Sequence, residues 1–442
     1  MPDTDRTIQD RTIKPASPVQ PHSTGLRRGS PITASVSQLA HTARDRVASP
    51  QTFGHLIAEI DLSAIRWNID VLRSFIPPEC RFCVAVKANA YGHGLEVVLP
   101  TLADANVDMI AVATVTEARQ AREFGWLRPI LLMGTELSIY HGSLKRDVAE
   151  WLVRNGIRIT LLSPDDLQVV SDAARAVAMP AMIHLKLDSG LSRMGVDETS
   201  LMHLIDSVEQ DRGAEQNRSV VIDGIYTHFA SADDRGCAFA MQQLQRFTQF
   251  ADSLRSRLPM MPTVHAANSA AIVNMSGSHL DMVRPGIGVY GYQTTPTDQE
   301  RIDLRASMRV VSSIMLVKRV SEGSDVGYGR SFRTKRESVL GVIPIGYADG
   351  LDRRLSNKGF VTVCGELAPI VGKISMDQTI VDLTDIAARH NVQAGSQAVI
   401  IDNNPKAPNS VEAMARQLDT IPYEIVTSIS PRVTRLAKQE ES

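Results

Sequence analysis

The sequence predicts an α/β protein in which an N-terminal (β/α)8 TIM-like barrel is followed by a mostly β C-terminal domain. Eight apolar runs of strand length alternate with mostly helix-like segments between about residues 82 and 284. Past about residue 303 helix periodicity fades, and strand-like runs follow one another between Gly and Asp turns. The first 52 residues are rich in Ser, Thr and Pro without a sustained period, which predicts a disordered N-terminal tail. The predicted domains are residues 1–52, 53–302 and 303–442.

The barrel prediction depends on the number and spacing of the apolar runs. Strands that alternate with helices form a parallel sheet, and eight strand–helix units in about 230 residues fit a closed barrel. A doubly wound sheet would share this pattern. The eight predicted strands lie near residues 82–86, 109–113, 130–133, 158–162, 182–187, 221–227, 263–267 and 281–284.

Local signals support individual elements on either side of these strands. A first helix is predicted ahead of Pro77 and Pro78, with one apolar face made by Leu62, Ile65, Ile69, Leu72 and Ile76. Farther along, Ser163 can cap a helix that has Pro164 in its first turn. In the C-terminal domain, strands are predicted at residues 310–320, 339–345, 360–363 and 397–401, and a helix at residues 411–418.

Composition excludes several classes of protein. The 442 residues are long enough for two cores, and 43% of them are apolar. Lys and Arg number 47 against 49 Asp and Glu, so no basic excess is available for nucleic acid. No run of about 18 apolar residues could span a membrane, and the first 50 residues lack the apolar stretch of a signal peptide. The sequence therefore predicts a cytoplasmic protein.

The four cysteines do not form a disulfide framework, which is typical of small secreted domains. Cys80 and Cys83 form a CxxC, but the pair leads into an apolar run instead of opening a helix, and the chain has no second CxxC. Metal binding and redox chemistry are disfavoured at this pair, and no metal site is predicted.

The strongest chemical signal is Lys87, which stands where the first predicted barrel strand ends. That end of a barrel carries the reactive groups. Partial desolvation lowers the pKa of a lysine from about 10.4, so its amine becomes a candidate for a Schiff base. On spacing alone, a solvated lysine at a strand end remains the alternative.

Other polar residues follow later strands in the same way. Ser269 and the backbone of Gly286 and Ile287 lie in the loops after the last two strands, where barrels commonly hold phosphate. Individually, His228 could be a core histidine and Arg193 a surface ion pair. The residues predicted at this rim are Lys186, Arg193, His228, Asn268, Ser269, Arg284 and Gly286.

A lysine amine beside a phosphate site suggests pyridoxal phosphate, and several segments resemble the alanine racemase family, whose barrel is that of fold-type III. They extend from residue 57 to about residue 435 and together are highly specific, whereas the lysine segment alone indicates only the wider group of barrel-type pyridoxal phosphate proteins. The matching segments are Val86–Gly94, His184–Gly195, Tyr226–Ala230, His265–Ser269, Val283–Ile287, Val326–Gly329, Ile345–Gly350 and Ser375–Asp377.

The resemblance implies an isomerase that interconverts L- and D-alanine with two bases. Lys87 would hold pyridoxal phosphate and serve as one base, and Tyr328 from the second domain of a partner subunit would serve as the other. Two bases on opposite faces of Cα explain inversion. Because a phenol has an ordinary pKa of about 10, a tyrosine base needs cations nearby.

The resemblance also assigns the binding residues. Arg284 would bond the pyridine nitrogen and keep it unprotonated, with His228 supporting Arg284. Arg193 and the backbone of Met376 would bind the substrate carboxylate. Lys186 matches a lysine that some relatives carry as a carbamate. The phosphate would be held by Tyr91, Ser269, Gly286, Ile287 and Tyr423.

Two departures from the family pattern stand out. Ser375 occupies a position that is often cysteine, and the tail of about 50 residues has no counterpart in the family core. Because Tyr328, Tyr347 and Met376 would complete a partner's site, an obligate homodimer is predicted.

Three other functions remain open from the sequence alone. They are a broad-specificity amino-acid racemase, a non-catalytic pyridoxal phosphate-binding barrel and a decarboxylase on the same barrel. The second domain and Tyr328 disfavour the non-catalytic protein. The decarboxylases carry a cysteine-bearing motif that this chain lacks. D-alanine for peptidoglycan is the expected product by family resemblance.

Overall fold

A computed structural model describes residues 55–210, 219–293 and 302–438. The predicted tail, residues 1–52, lies outside the described residues. The first described strand is β1, Leu56–Ile60, and the predicted first helix follows it at Leu62–Arg73. Asp61 caps this helix, because its carboxylate accepts a hydrogen bond of 2.9 Å from the Ala64 N–H.

Eight parallel strands close into a barrel in chain order, which confirms the predicted fold. Their faces are nearly continuously buried, as expected of strands covered on both sides. Closure comes from the pairing of the last strand with the first, Met282 lying opposite Arg81. The strands are β2 Arg81–Ala85, β3 Met109–Val112, β4 Ile130–Leu132, β5 Ile157–Leu161, β6 Ala181–Lys186, β7 Val220–Tyr226, β8 Thr263–His265 and β9 Met282–Val283.

Helices cover the outside of the barrel after most of its strands. The predicted cap at Ser163 is confirmed, since its hydroxyl accepts a hydrogen bond of 3.2 Å from Asp166 N–H and Pro164 opens the helix. The barrel helices are Leu95–Asp104, Val115–Glu123, Gly142–Arg154, Pro164–Val177, Glu198–Gln210, Ala238–Ser253 and Ser269–Asn274. Among the described residues, no helix is both long enough and apolar enough to cross a membrane.

The C-terminal part of the chain is mostly β, as predicted. Its strands are β10 Met308–Ser313, β11 Leu316–Val320, β12 Asp325–Val326, β13 Phe332–Arg333, β14 Ser338–Ile343, β15 Phe360–Val363, β16 Glu366–Pro369, β17 Thr379–Asp382, β18 Gln397–Ile401 and β19 Thr434–Ala437. The predicted helix is present at Val411–Leu418, and short helices occupy Thr384–Ala387 and Pro422–Ser428. The larger sheet has the order β16-β15-β18-β10-β1-β19.

Two details differ from the sequence-based expectation. The single strand expected at residues 310–320 is two strands in different sheets, because Ile314 N–H bonds Ser396 O and Met315 N–H bonds Val342 O, at 2.8 and 2.7 Å. In addition, β1 precedes the barrel but lies in the C-terminal sheet, antiparallel to β10 and parallel to β19. Apolar patterning predicts strands but not which strands pair with one another, so it reveals neither difference.

The segment after Lys87 forms a left-handed turn. Residues 88–91 have φ between 52° and 55°, and Gly92 continues the turn at φ 81°. The left-handed conformation costs about 1–2 kcal/mol for each residue with a Cβ. A Cβ at Gly92 would overlap the carbonyl oxygen of Val426, so the turn also lies directly against the helix Pro422–Ser428.

We expect Gly92→Ala to destabilise the protein well beyond the cost of its positive φ. Gly125→Ala is the matched control, because Gly125 has a similar φ of 88° but open space where a Cβ would lie. The overlap at Gly92 should add about 1–3 kcal/mol to the left-handed strain that both variants share. Parallel urea denaturation followed by fluorescence measures the difference, and equal midpoints for the two variants would contradict the packing described here.

Candidate active site

Lys87 lies at the carboxyl end of β2, and its backbone is fixed from the next strand–helix unit. Glu117 Oε1 accepts a hydrogen bond of 2.7 Å from the Ala88 N–H, the first amide of the left-handed turn. The other carboxylate oxygen of Glu117 accepts from Ala113 N–H at 2.8 Å and closes a capping box with Thr114. One carboxylate thus joins the lysine turn to the helix Val115–Glu123.

Four cationic side chains lie near one another at this rim, and their charges affect the pKa values of the two lysines. They are Lys87, Lys186, Arg193 and Arg284. Burial, and next the charge of Arg193, lower the pKa of Lys87. Burial, followed by the charges of Arg284 and Arg193, lowers the pKa of Lys186 to about 8. Within residues 55–210, 219–293 and 302–438, none of the four is ion-paired with a carboxylate. Such a group of cations is suited to an anionic ligand.

Arg284 is buried, and its guanidinium is held by barrel groups. Nη1 donates to His265 Nδ1 at 2.6 Å, and Nη2 donates to the carbonyl oxygens of Thr227 and Ala266 at 2.7 and 3.1 Å. His228 Nδ1 lies 3.5 Å from Nη2, at the long limit of a hydrogen bond. His265 is therefore the closer partner of Arg284, and His228 is a more distant one.

A cluster of hydroxyl and backbone amide groups, here called the phosphate cradle, lies around Ser269 and Gly286. Ser269 Oγ accepts hydrogen bonds from the N–H groups of Gly286 and Gly288 at 2.9 and 3.2 Å. A Cβ at Gly286 would overlap the Tyr91 hydroxyl. The Tyr91 ring lies 5.9 Å from the ring of Tyr423. The hydroxyls of Tyr91, Ser269 and Tyr423 and the amides of Gly286 and Ile287 thus belong to neighbouring segments.

Several polar residues lie inside the barrel, and the sequence-based predictions give them no role. His184, on β6, and His265, at the end of β8, are fully buried and hydrogen-bonded to each other at 3.0 Å. Asp223 lies on β7, and the Tyr226 ring stacks on His265 at 4.9 Å. The sequence does contain a signal for Asp223, because its carboxylate interrupts an otherwise apolar strand and so indicates a buried polar contact.

Three residues of the C-terminal domain remain outside this cluster. Tyr328, Tyr347 and Met376 are 70%, 45% and 57% exposed. Backbone bonds hold two of them together, because Tyr347 N–H donates to Ser375 O at 3.1 Å and Ala348 N–H donates to Met376 O at 2.9 Å. These three side chains, here called the exposed patch, are not enclosed by the barrel of their own chain.

The CxxC does not have the character of a reactive site. Both thiols are free and buried. Burial raises the pKa of Cys80 to about 11 and the pKa of Cys83 to about 12. Reactive cysteines have lowered pKa values.

Family models match almost all of the described chain. The N-terminal domain of alanine racemase matches residues 60–294, and its C-terminal domain matches residues 307–437. The chain belongs to the alanine racemase family. The alanine racemase of Methanococcus maripaludis is 38% identical over 383 residues, which cover 86% of this chain and 97% of that protein.

Solved alanine racemases share the fold. The alanine racemase from D-cycloserine-producing Streptomyces lavendulae has a TM-score of 0.77 and 32% identity, covering 88% of this chain and 98% of its own. The alanine racemase from Bartonella henselae, solved with covalently bound pyridoxal phosphate, has a TM-score of 0.72 and 30% identity, covering 87% and 100%.

The residues of this alanine racemase family member fit pyridoxal phosphate. Lys87 has a lowered pKa and can offer a neutral amine to the aldehyde. The hydroxyls of Tyr91 and Ser269 both lie against the backbone of Gly286, so they can bind one phosphate together. Arg284 makes its described hydrogen bonds through Nη1 and Nη2, so its Nε–H is available to the pyridine nitrogen.

We expect Ser269→Ala to raise the apparent Kd for pyridoxal phosphate about tenfold, as expected when one hydrogen bond to a charged group is lost. The Kd for pyridoxal, which lacks the phosphate, should change less than about twofold. Ser278→Ala is the control, because Ser278 is equally buried but donates to Met275 O instead. Absorbance titration of cofactor-free protein measures both constants, and an equal loss for the two ligands would contradict a phosphate site.

Proposed function

We propose that this chain interconverts L- and D-alanine with Lys87 and Tyr328 of the partner subunit as the two bases. The observation that carries this proposal is the position of Lys87 after the carboxyl end of β2, where burial and the charge of Arg193 lower the pKa of its amine. Membership of the alanine racemase family supplies the reaction and the cofactor, pyridoxal phosphate.

The reaction requires one proton to leave Cα and another to return on the opposite face. Pyridoxal phosphate, when bound, supplies an electron sink that makes the Cα proton of the amino acid removable. Lys87 then takes or returns the proton on one face, since its lowered pKa increases the neutral fraction of the amine. Tyr328 of the partner subunit does the same on the other face.

The remaining residues hold the reactants. Arg193 offers a planar fork that matches the carboxylate of alanine, and the backbone of Met376 of the partner subunit completes that contact. Arg284, fixed by His265 and supported by His228, directs a permanent cation to the pyridine nitrogen, which stays unprotonated. An unprotonated pyridine nitrogen makes the cofactor a weaker electron sink, which disfavours side reactions other than proton transfer.

Lys186 is proposed to carry a carbamate. Its pKa of about 8 leaves an appreciable neutral fraction of the amine, and only the neutral amine reacts with carbon dioxide. Its Nζ lies 5.3 Å from the centre of the Tyr226 ring and has no carboxylate partner among the described residues. A carbamate would change this cation into an anion that can pair with Arg193.

The homodimer is supported by the exposed patch. Two exposed aromatic rings and an exposed methionine are typical of a protein interface. A base that is 70% exposed in its own chain needs an enclosing surface to work in a water-poor site. The barrel rim of a second copy provides the lysine that Tyr328 must oppose.

The product and location follow from the same proposal. D-alanine would supply peptidoglycan. The free state of all four cysteines supports a reducing compartment, in agreement with a cytoplasmic location.

With pyridoxal phosphate and L-alanine in heavy water, we expect Cα deuteration together with approach to equal D and L alanine. Mass spectrometry and chiral chromatography measure the two quantities. Deuteration with retained chirality would contradict the second base, and absence of exchange would contradict the racemase. Parallel reactions with longer amino acids separate an alanine-specific enzyme from a broad-specificity racemase.

Tyr328→Phe should slow deuteration from L-alanine by about 10²–10⁴-fold, the contribution of a general base, and affect D-alanine far less. Visible absorbance should show that the cofactor remains bound. In Lys87→Ala, borohydride should no longer attach the cofactor to the protein. Equal loss in both directions for Tyr328→Phe would refute the two-base assignment.

Mixing the two inactive variants tests the shared site directly. If Lys87→Ala and Tyr328→Phe subunits exchange freely, half of the dimers are mixed and each contains one intact site of two. About a quarter of the wild-type activity should then return. Light scattering should report a dimer throughout. Activity of a dilute monomer, or lack of recovery despite proven subunit exchange, would count against the shared site.

A further inference from the structure

A line of hydrogen bonds crosses the barrel interior from Arg284 to Asp223; we call it the histidine line. Arg284 Nη1 lies 2.6 Å from His265 Nδ1, His265 Nε2 lies 3.0 Å from His184 Nδ1, and His184 Nε2 lies 3.4 Å from Asp223 Oδ2. Asp223 also accepts from Arg158 Nε at 3.1 Å. The line therefore runs from the catalytic rim toward the amino ends of β5 and β7.

The chemistry of these groups fixes the direction of every bond. A guanidinium only donates and an ionised carboxylate only accepts, so both ends of the line favour a bare Nδ1 and a proton on Nε2 at His265. His265 then donates to His184 Nδ1, which places the His184 proton on Nε2, where Asp223 accepts it. A second proton on either imidazole would set two donors against each other. Both histidines are therefore neutral and share one tautomer.

Burial and charge agree with this assignment. Burial, and next the charge of Arg284, hold the pKa of His265 well below its usual value. Burial lowers the pKa of His184 as well, against the opposing effect of Asp223. Burial acts to raise the pKa of Asp223, but the hydrogen bond from His184 and the nearby Arg158 hold it below its usual value, so this group accepts.

Strand β7 is locally shaped to receive the His184 ring. The register of β6 against β7 shifts between Ile183 and His184, because Ile183 faces Ile222 whereas His184 faces Gly224. Asp223 is the extra residue of this β-bulge, a device that redirects a side chain. A Cβ at Gly224 would overlap the His184 imidazole. The bulge and the glycine together provide the space and the acceptor.

Arg284 lacks a direct carboxylate partner among the described residues. Its closest hydrogen-bond partners are carbonyl oxygens and His265. Arg284 is connected to the carboxylate of Asp223 through His265 and His184. If the His184 tautomer were released, His265 could also carry its proton on Nδ1. That proton would then oppose Arg284 Nη1 across 2.6 Å.

We propose that Asp223 and His184 are positioning residues that fix the His265 tautomer and thereby hold Arg284 toward the pyridine nitrogen of the cofactor. The effect on catalysis rests on the proposed function, whereas the tautomers are a property of the protein alone.

The first test is nitrogen NMR of cofactor-free protein labelled with ¹⁵N-histidine, with single histidine variants to assign the signals. We expect His184 and His265 to carry their protons on Nε2 with bare Nδ1 atoms. A proton on Nδ1 of either ring in the wild-type protein would overturn the proposal. This measurement does not depend on the folding of any Asp223 variant.

The second test compares Asp223→Ala with Asp223→Asn, which keeps an acceptor oxygen. For Asp223→Ala, we expect mixed tautomers at both histidines and a fall in kcat of about tenfold, with the KM for alanine changed less than about twofold. Asp223→Asn should restore most of kcat. Asp108→Asn is the matched control, because Asp108 accepts from Phe82 N–H at 2.7 Å at the same end of the barrel, apart from the line.

The outcomes separate the two claims. Wild-type tautomers and wild-type kcat in Asp223→Ala would overturn the positioning role. An equal loss of kcat in Asp108→Asn would overturn it too, because general destabilisation would then explain the effect. A wild-type protein with the expected tautomers but without racemase activity would overturn the proposed function and leave the tautomer assignment supported.

Discussion

The site depends on holding positive side chains together where little water reaches them. Lys87 is half-buried, and Lys186 and Arg284 are buried. The charges of Arg284 and Lys87 both lower the pKa of Lys186. The barrel makes this possible because the carboxyl ends of its strands present carbonyl oxygens, which satisfy the Arg284 N–H groups without cancelling the charge. The uncompensated charge remains for an anionic cofactor and an amino-acid carboxylate.

The same rim is tied to the C-terminal part of the chain through the turn after Lys87. Gly92 packs on Val426, and Arg435 Nε donates to Gly92 O at 2.9 Å. The Tyr91 ring, from this turn, lies near Tyr423, from the helix that Gly92 touches. The strained turn is therefore held from both sides, and the phosphate cradle combines residues that are more than 300 positions apart.

Sequence reasoning predicted the elements better than their partners. The eight barrel strands follow from apolar runs, and Lys87, Ser269 and Arg284 follow from their positions at strand ends. The split of residues 310–320 and the place of β1 were not predictable, since pairing is a long-range choice among similar strands. The histidine line was missed because its geometry depends on a β-bulge at Asp223, and a bulge leaves no mark in composition.

The position of β1 has a consequence for the order of events during synthesis. This strand is translated first among the described elements, yet it lies between β10 and β19, and β19 ends only at Ala437. The larger sheet therefore cannot be completed until the chain has been synthesised through Ala437. Until then the edge of β1 that later pairs with β19 stays open, and an open strand edge is a template for pairing with other chains.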